Sequence, residues 1–317
     1  GRTELGGNHT DHQWGRCLAG SVDLDTIACA APNGTSMVRI QSRNHRMAEV
    51  SLDDLSVHPA ETGSSVSLVR GVAARLREMG HAVGGFNAYT TTRVLRSSGL
   101  SSSAAFEVMV GTIMNHLFCG GVLTPLQLAQ VGQYAENVYY GKPCGLMDQL
   151  ACASGGVIAI DFADPAAPSL RQVQVDLERE GYALVIVDAG AGHADLTEEY
   201  AAIPREMGAA AACLGKERLG QAAYEQFLEA LPRVRSACGD RALLRAMHFF
   251  QDDRRAAEQC AALERGDLPA FLRLVRRSGR SSFMNLQNVI TCRDSREQPL
   301  AVLLALAEEL LEGEGAC

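Results

Sequence analysis

The chain changes character along its length. Strand-like runs alternate with helical stretches in its first half, and beyond Asp195 it is mostly helical. Segregated elements of this kind favour an α+β fold over a doubly wound parallel sheet. The strand-like runs are Gly15 to Ala31, Ser36 to Ser42, Arg46 to Leu52, Gly85 to Arg93, Gly156 to Phe162 and Tyr182 to Val187. Val69, Val72, Ala73 and Leu76 recur at helical spacing, predicting a helix over Ser67 to Met79 that stops at Gly80. Apolar periodicity predicts a buried helix from Ser102 to Phe118, and Pro125 opens another that stops at Gly141. Later helices are expected over Glu198 to Leu214, Gln221 to Leu231, Asp240 to Gln251, Arg254 to Arg265, Leu268 to Arg277 and Leu300 to Leu311.

A length of 317 residues is enough for two domains. The turn-rich Asp164-Pro165-Ala166-Ala167-Pro168 places a junction near residues 163 to 180, giving domains 1–170 and 171–317. The formal charge of -8 and the lack of a basic run argue against nucleic acid or an anionic membrane as partner. No apolar stretch is long enough to span a membrane, and the opening residues do not read as a signal peptide. The 10 cysteines are scattered, without a Cys-x-x-Cys pair or zinc spacing. Free thiols in a reducing cytoplasm are therefore expected. Both ends read as cut, so a fragment of a longer chain is expected.

Three segments carry chemistry. Gly99 permits a tight turn, and the amides of Leu100 to Ser103 open a helix. Those amides and the positive end of the helix dipole favour phosphate, and a serine hydroxyl there, Ser102 by preference, can reach a bridging magnesium ion. The alternative is an ordinary serine cap on a buried helix. No Gly-Lys-Ser/Thr follows, so this is not a Walker loop. In the second segment, Tyr140-Gly141-Lys142-Pro143-Cys144-Gly145 is a rigid turn that presents Asp148. Such a carboxylate can meet an acceptor hydroxyl in phosphoryl transfer; the alternative is a helix cap. Glu136 reads as a magnesium ligand or as part of a solvated helix face. The third segment, Gly1 to His12, is dense in hydrogen-bonding groups with little to bury. This suits sugar recognition or a solvated polar loop. His9-x-x-His12 lacks a third ligand at metal spacing.

Together the three segments resemble the galactokinases of the GHMP kinase superfamily. The opening is similar to their galactose-recognition signature, Gly99 to Ala104 to their phosphate loop, and Gly145-Leu146-Met147-Asp148-Gln149 to their catalytic loop. Arg245-Ala246-Met247-His248 and Arg265-Gly266-Asp267 are similar to part of their helical region. The resemblance implies a two-domain GHMP fold with the active site in the interdomain cleft, and ATP- and Mg2+-dependent phosphorylation of D-galactose at its anomeric oxygen. Asp148 would be the catalytic carboxylate, with Arg2 paired to it and adding positive charge near the transferring group. Ser98, Gly99, Leu100, Ser101, Ser102 and Ser103 would bind the nucleotide, and Ser102 and Glu136 the metal. Asn8, His9, Asp11, the Gly145 backbone and Tyr200 would hold the sugar.

The resemblance is incomplete in three places. Asn8 stands where most galactokinases have glutamate, which leaves room for another sugar such as N-acetylgalactosamine or arabinose. Leu95 and Ser97 replace the proline and first glycine of the phosphate loop, which leaves room for a catalytically weak, sugar-sensing relative. A glycine-rich third motif is not reached before Cys317.

Overall fold

Pairing between distant strands decides how this chain divides. The computed structural model describes residues 1–94, 99–189, 197–291, 295–312 and 314–317. Two compact units form: one comprises residues 1–3 and 20–156, the other 4–19 and 157–317. The described strands are β1 (Arg2–Gly6), β2 (Arg16–Ser21), β3 (Thr26–Pro32), β4 (Met37–Ser42), β5 (Ala48–Ser51), β6 (Phe86–Thr92), β7 (Val157–Asp161) and β8 (Ser169–Val173). They make two four-stranded sheets, ordered β1-β2-β7-β8 and β3-β6-β4-β5.

In the first unit the sheet is built on strict alternation. Val38 and Ile40 of β4 and Phe86 and Ala88 of β6 point inward, while Asn87 and Tyr89 point out. β6 runs parallel to β4 and antiparallel to β3. Onto the inner face pack α1 (Ser65–Glu78) and α2 (Ser102–Phe118), whose Val69, Val72, Leu76, Val110 and Met114 close the core. Ser64 caps α1 by accepting from the Ser67 amide, so the helix starts two residues earlier than its apolar spacing predicts. Its end at Gly80, with φ +83°, agrees with expectation.

α3 (Pro125–Tyr134) opens on a Thr124–Gln127 capping box. The helix then widens into a π-helical segment, Ala135–Tyr140, and stops at Gly141 with φ +82°. Gly71 of α1 lies directly against this segment: a Cβ there would sit 2.8 Å from both Cα and Cβ of Ala135. α4 (Met147–Ser154) completes the unit.

The second unit holds the β1-β2-β7-β8 sheet, apart from the ends of β1 and β2, together with the later helices. These are α5 (Thr197–Cys213), α6 (Tyr224–Glu229), α7 (Leu231–Cys238), α8 (Asp240–Glu264), α9 (Leu268–Ser281) and α10 (Pro299–Leu310). One core joins Leu18 and Val173 to Cys260, Leu263, Leu268 and Phe271; another joins Met207, Leu219, Phe227, Val234 and Phe249.

Several local expectations change. The opening is a strand, β1, where the polar sequence reads as a loop, because β2 supplies its hydrogen bonds. Gly15 to Ala31 is two strands. The stretch near 163–180 contains β8, which pairs antiparallel with β7 from Val157↔Val173 to Asp161↔Ser169. That pairing carries residues from 157 onward into the second unit, so the compact units do not follow the ranges 1–170 and 171–317. Pro232 near the start of α7 splits the expected Gln221–Leu231 helix, since proline cannot donate within a continuing helix. Conversely, α8 runs unbroken through Asp252-Asp253, because both carboxylates have partners in the fold. Tyr182 to Val187 is not a strand, and Leu184, Val185, Ile186 and Val187 are exposed; no strand among the described residues pairs with it. An apolar run without a partner strand lacks the hydrogen bonds that define one.

Candidate active site

In the first unit, local backbone geometry brings the serine loop to the carboxylate loop. Gly99 (φ +75°) and Ser101 (φ 55°, ψ 58°) both adopt left-handed conformations immediately before α2. This is common for glycine and unusual for serine, and such backbone clusters at functional sites. The turn points the Ser101 hydroxyl away from its own helix, and it donates to Oδ2 of Asp148. Arg2 donates to the other oxygen, Oδ1, from both Nε and Nη2 at 2.7 Å. Its Nη1 donates to the Gly99 carbonyl at 2.5 Å, and its backbone amide to the Leu100 carbonyl at 3.1 Å. One residue from the start of the chain thus grips both loops.

Asp148 lies in the first turn of α4, where the helix dipole favours negative charge. It remains 30 % exposed, so its carboxylate is held and still accessible. Gly145 precedes that turn, and the loop before it is fastened at Cys144, whose amide donates to Asn137 Oδ1 at 2.7 Å.

Behind this pair is a buried acidic cluster. Glu136 lies in the π segment and is 2 % exposed, so it is no part of a solvated face. Its Oε1 accepts from Ser103 Oγ at 3.0 Å and faces Lys142 Nζ at 3.4 Å. Its Oε2 accepts from Gln149 Nε2 at 2.9 Å, and the same nitrogen donates to Glu107 Oε2 at 3.1 Å. Burial, reinforced by the charge of Glu136, pushes the Glu107 carboxyl up to about 9.

The serine whose hydroxyl meets Glu136 is therefore Ser103. Ser102, which the sequence favours for reaching a magnesium ion, is the first residue of α2 and is half-buried. Leu100 is buried under the loop. Leu95, Ser97 and Ser98 lie outside the described residues. Glu136 and Ser103 fit a magnesium ion, which takes hard oxygen donors and is commonly held by one or two carboxylates with phosphate.

The second unit holds the loop that follows β1. Thr10 is fully buried, and its hydroxyl lies 2.7 Å from the Gly7 carbonyl and 2.6 Å from that of Arg16. The backbone at Asn8 is held from both sides by α8. Its amide donates to Asp252 Oδ2 at 2.8 Å, and its carbonyl accepts from His248 Nε2 at 2.9 Å. Since Nε2 carries the proton, Nδ1 of the neutral ring accepts from Ser281 Oγ at 2.9 Å. Burial lowers the pKa of His248 and keeps that ring neutral.

His9 follows in a left-handed conformation (φ 61°). Its ring lies 5.5 Å from that of His12 and 5.1 Å from that of Tyr200 on α5. Its Nδ1 is buried without a hydrogen-bond partner among the described residues. Burial, with the nearby His12, His248 and Arg245, lowers its pKa to about 3. Asp11 Oδ1 accepts from the His12 amide at 2.8 Å.

His248, Asp252 and Glu107 were not assigned roles from sequence. Their available signal is a polar residue in a core-facing helical position, with His248 and Asp252 four residues apart on one face.

Known proteins resemble this chain over most of its length. Residues 1–32 match the model of the galactokinase galactose-binding signature, and residues 67–156 that of the GHMP kinases N terminal domain. A galactokinase from Streptomyces coelicolor is 34% identical over 274 residues, covering 86% of this chain and 69% of that protein. One from Streptomyces lividans is 34% identical over 269 residues, covering 84% and 66%. The chain thus spans about two thirds of the length of these relatives. Among solved structures, Lactococcus lactis galactokinase complexed with galactose superposes with a TM-score of 0.80 at 23% identity, covering 98% of this chain and 78% of that one. A mevalonate kinase gives 0.60 at 14% identity, covering 97% and 82%. The fold is the α+β fold of the GHMP kinases.

Proposed function

This chain belongs to the galactokinase family of GHMP kinases, and from that premise we propose that it transfers the γ-phosphoryl group of ATP to the anomeric oxygen of D-galactose, giving galactose 1-phosphate and ADP. The observation that carries this reading is the Asp148 carboxylate, held on one oxygen by Arg2 and on the other by Ser101 at the opening of α2. Phosphoryl transfer relies on positioning and electrostatics, and this arrangement supports both.

The helix start at Gly99 to Ser103 offers unpaired amides to the phosphates. Asp148 takes the proton from the anomeric hydroxyl, or stabilises its alkoxide as it forms. Arg2 orients Asp148 and adds positive charge beside the transferring group. Glu136 with Ser103, and Ser102 next to it, would hold Mg2+, which would offset the negative charge of the phosphates. Asn8, His9, Asp11 and Tyr200, with the Gly145 backbone, hold the sugar hydroxyls. The unpaired His9 Nδ1 supports that assignment.

Asn8 supports a second reading in which another sugar is preferred. Its main chain is fixed by Asp252 and His248, and its side chain is an amide that donates as well as accepts. The acidic balance and the scattered cysteines, without Cys-x-x-Cys or zinc spacing, support a cytoplasmic enzyme without nucleic-acid or membrane partners. No helix among the described residues is long and apolar enough to cross a membrane.

The test is ADP release with Mg2+·ATP and D-galactose, N-acetylgalactosamine or arabinose, with Asp148→Asn alongside. Galactose-dependent release that the variant loses is expected. Undiminished turnover in Asp148→Asn removes this carboxylate from the mechanism. Saturable galactose binding without ADP release from the wild type replaces catalysis with sensing.

A further inference from the structure

Asp148 and Gln149 are adjacent and face different tasks. Asp148 meets Arg2 and Ser101, whereas Gln149 is fully buried with its amide in the acidic cluster. An amide nitrogen carries two hydrogens, and here each has a carboxylate: Glu107 Oε2 at 3.1 Å and Glu136 Oε2 at 2.9 Å. The remaining oxygen of Glu136 is thereby turned to Ser103.

Gly132 makes room for this bridge. A Cβ on Gly132 would lie 3.2 Å from Gln149 Cγ and 3.2 Å from Glu107 Oε2, so only glycine leaves the bridge its full room. Glu136 itself sits in the π segment, a form of helix frequent at functional sites. Glu107 and Glu136 are enclosed together, and Gln149 Nε2 donates to both.

We propose that Gln149 is a positioning residue of this kinase: its amide, braced on Glu107, fixes the Glu136 carboxylate so that one oxygen is presented with Ser103 to the divalent ion that accompanies ATP. The inference rests on the kinase reading and adds a residue that touches neither phosphate nor sugar. It also links the two working carboxylates, because the residue that orients Glu136 follows Asp148 in the same helical turn.

The experiment uses the full chain with Mn2+ as probe and a non-hydrolysable ATP analogue, reading bound Mn2+ by electron paramagnetic resonance. Gln149→Leu keeps the volume and removes the donors. Gln149→Asn keeps an amide too short to reach both carboxylates, and serves if the leucine variant does not fold. Loss of an outer partner of a metal ligand typically weakens metal affinity about 10- to 100-fold, and that loss is expected in both variants, with metal-free analogue binding unchanged. Glu107→Gln retains an oxygen to brace the amide and is expected to stay within about threefold of wild type.

Mn2+ affinity within about twofold of wild type in folded Gln149→Leu or Gln149→Asn overturns the proposal while leaving the kinase reading intact. A Glu107→Gln variant as impaired as Gln149→Leu overturns it too, since the Glu107 carboxyl itself, rather than its bracing of the Gln149 amide, would then govern the ion. A wild-type chain that binds the analogue but takes up no Mn2+ in its presence overturns the metal assignment and this inference with it.

Discussion

Replacing Asp252 by alanine removes the centre of the clamp on the sugar-signature loop. Asp252 is 0% exposed, and its carboxylate accepts from the Asn8 amide at 2.8 Å, Ser278 Oγ at 3.1 Å and Arg255 Nε at 2.7 Å. Arg255 is itself buried, so the variant strands a guanidinium away from water. Breaking a buried ion pair from one side costs about 3–5 kcal/mol. An orphaned buried donor such as the Asn8 amide costs about 1–3 kcal/mol, overlapping with the first figure because the same cluster relaxes. A loss of about 4 kcal/mol is therefore expected, equivalent to a fall of about 1–2 M in the urea midpoint. Asp252→Asn keeps an acceptor for Asn8 and should lose about half as much. In the ADP-release assay, Asp252→Ala should raise the KM for galactose about tenfold and leave the KM for ATP unchanged, corresponding to one hydrogen bond's worth of loop positioning. A destabilisation below about 1 kcal/mol, or equal changes in both KM values, would refute the clamp as described.

Two further outcomes follow from packing and charge. Gly71→Ala gains about 1 kcal/mol of helix propensity but forces α1 from Ala135, and overpacking against backbone costs about 1–3 kcal/mol or more. Net destabilisation in urea, with weaker Mn2+ binding because the displaced segment carries Glu136, is expected; a stabilised variant with unchanged Mn2+ binding contradicts the contact. His9 gives a pH signature: above its ordinary value of 6.5 neither the native nor the unfolded state is protonated there, and it adds no pH dependence. Below 6.5 the unfolded chain takes a proton that the native site refuses until about 3. Stability should fall by about 1.4 kcal/mol per pH unit through that window from this group, and His9→Gln should remove that part of the slope in denaturation measured across pH.

The sequence determined the local parts, because their causes lie within a few residues. Ser102 to Phe118 forms the expected helix, Pro125 and Gly141 bound the next helical stretch, and the motifs around Gly99 and Asp148 identify the family. Tertiary structure decided which of these parts meet. Ser101, Ser102 and Ser103 are equivalent by type, so only the placement of Asp148 and Glu136 assigns Ser101 to one and Ser103 to the other. The same dependence governs the polar stretches that sequence reads as loop or break. Arg2–Gly6 becomes a strand because β2 is beside it, and Asp252 stays helical because Arg255 and the Asn8 amide neutralise the cost of burying it. A buried polar group is stable only with partners, and the Asn8 amide that Asp252 accepts from is 244 residues away, where no local pattern reaches.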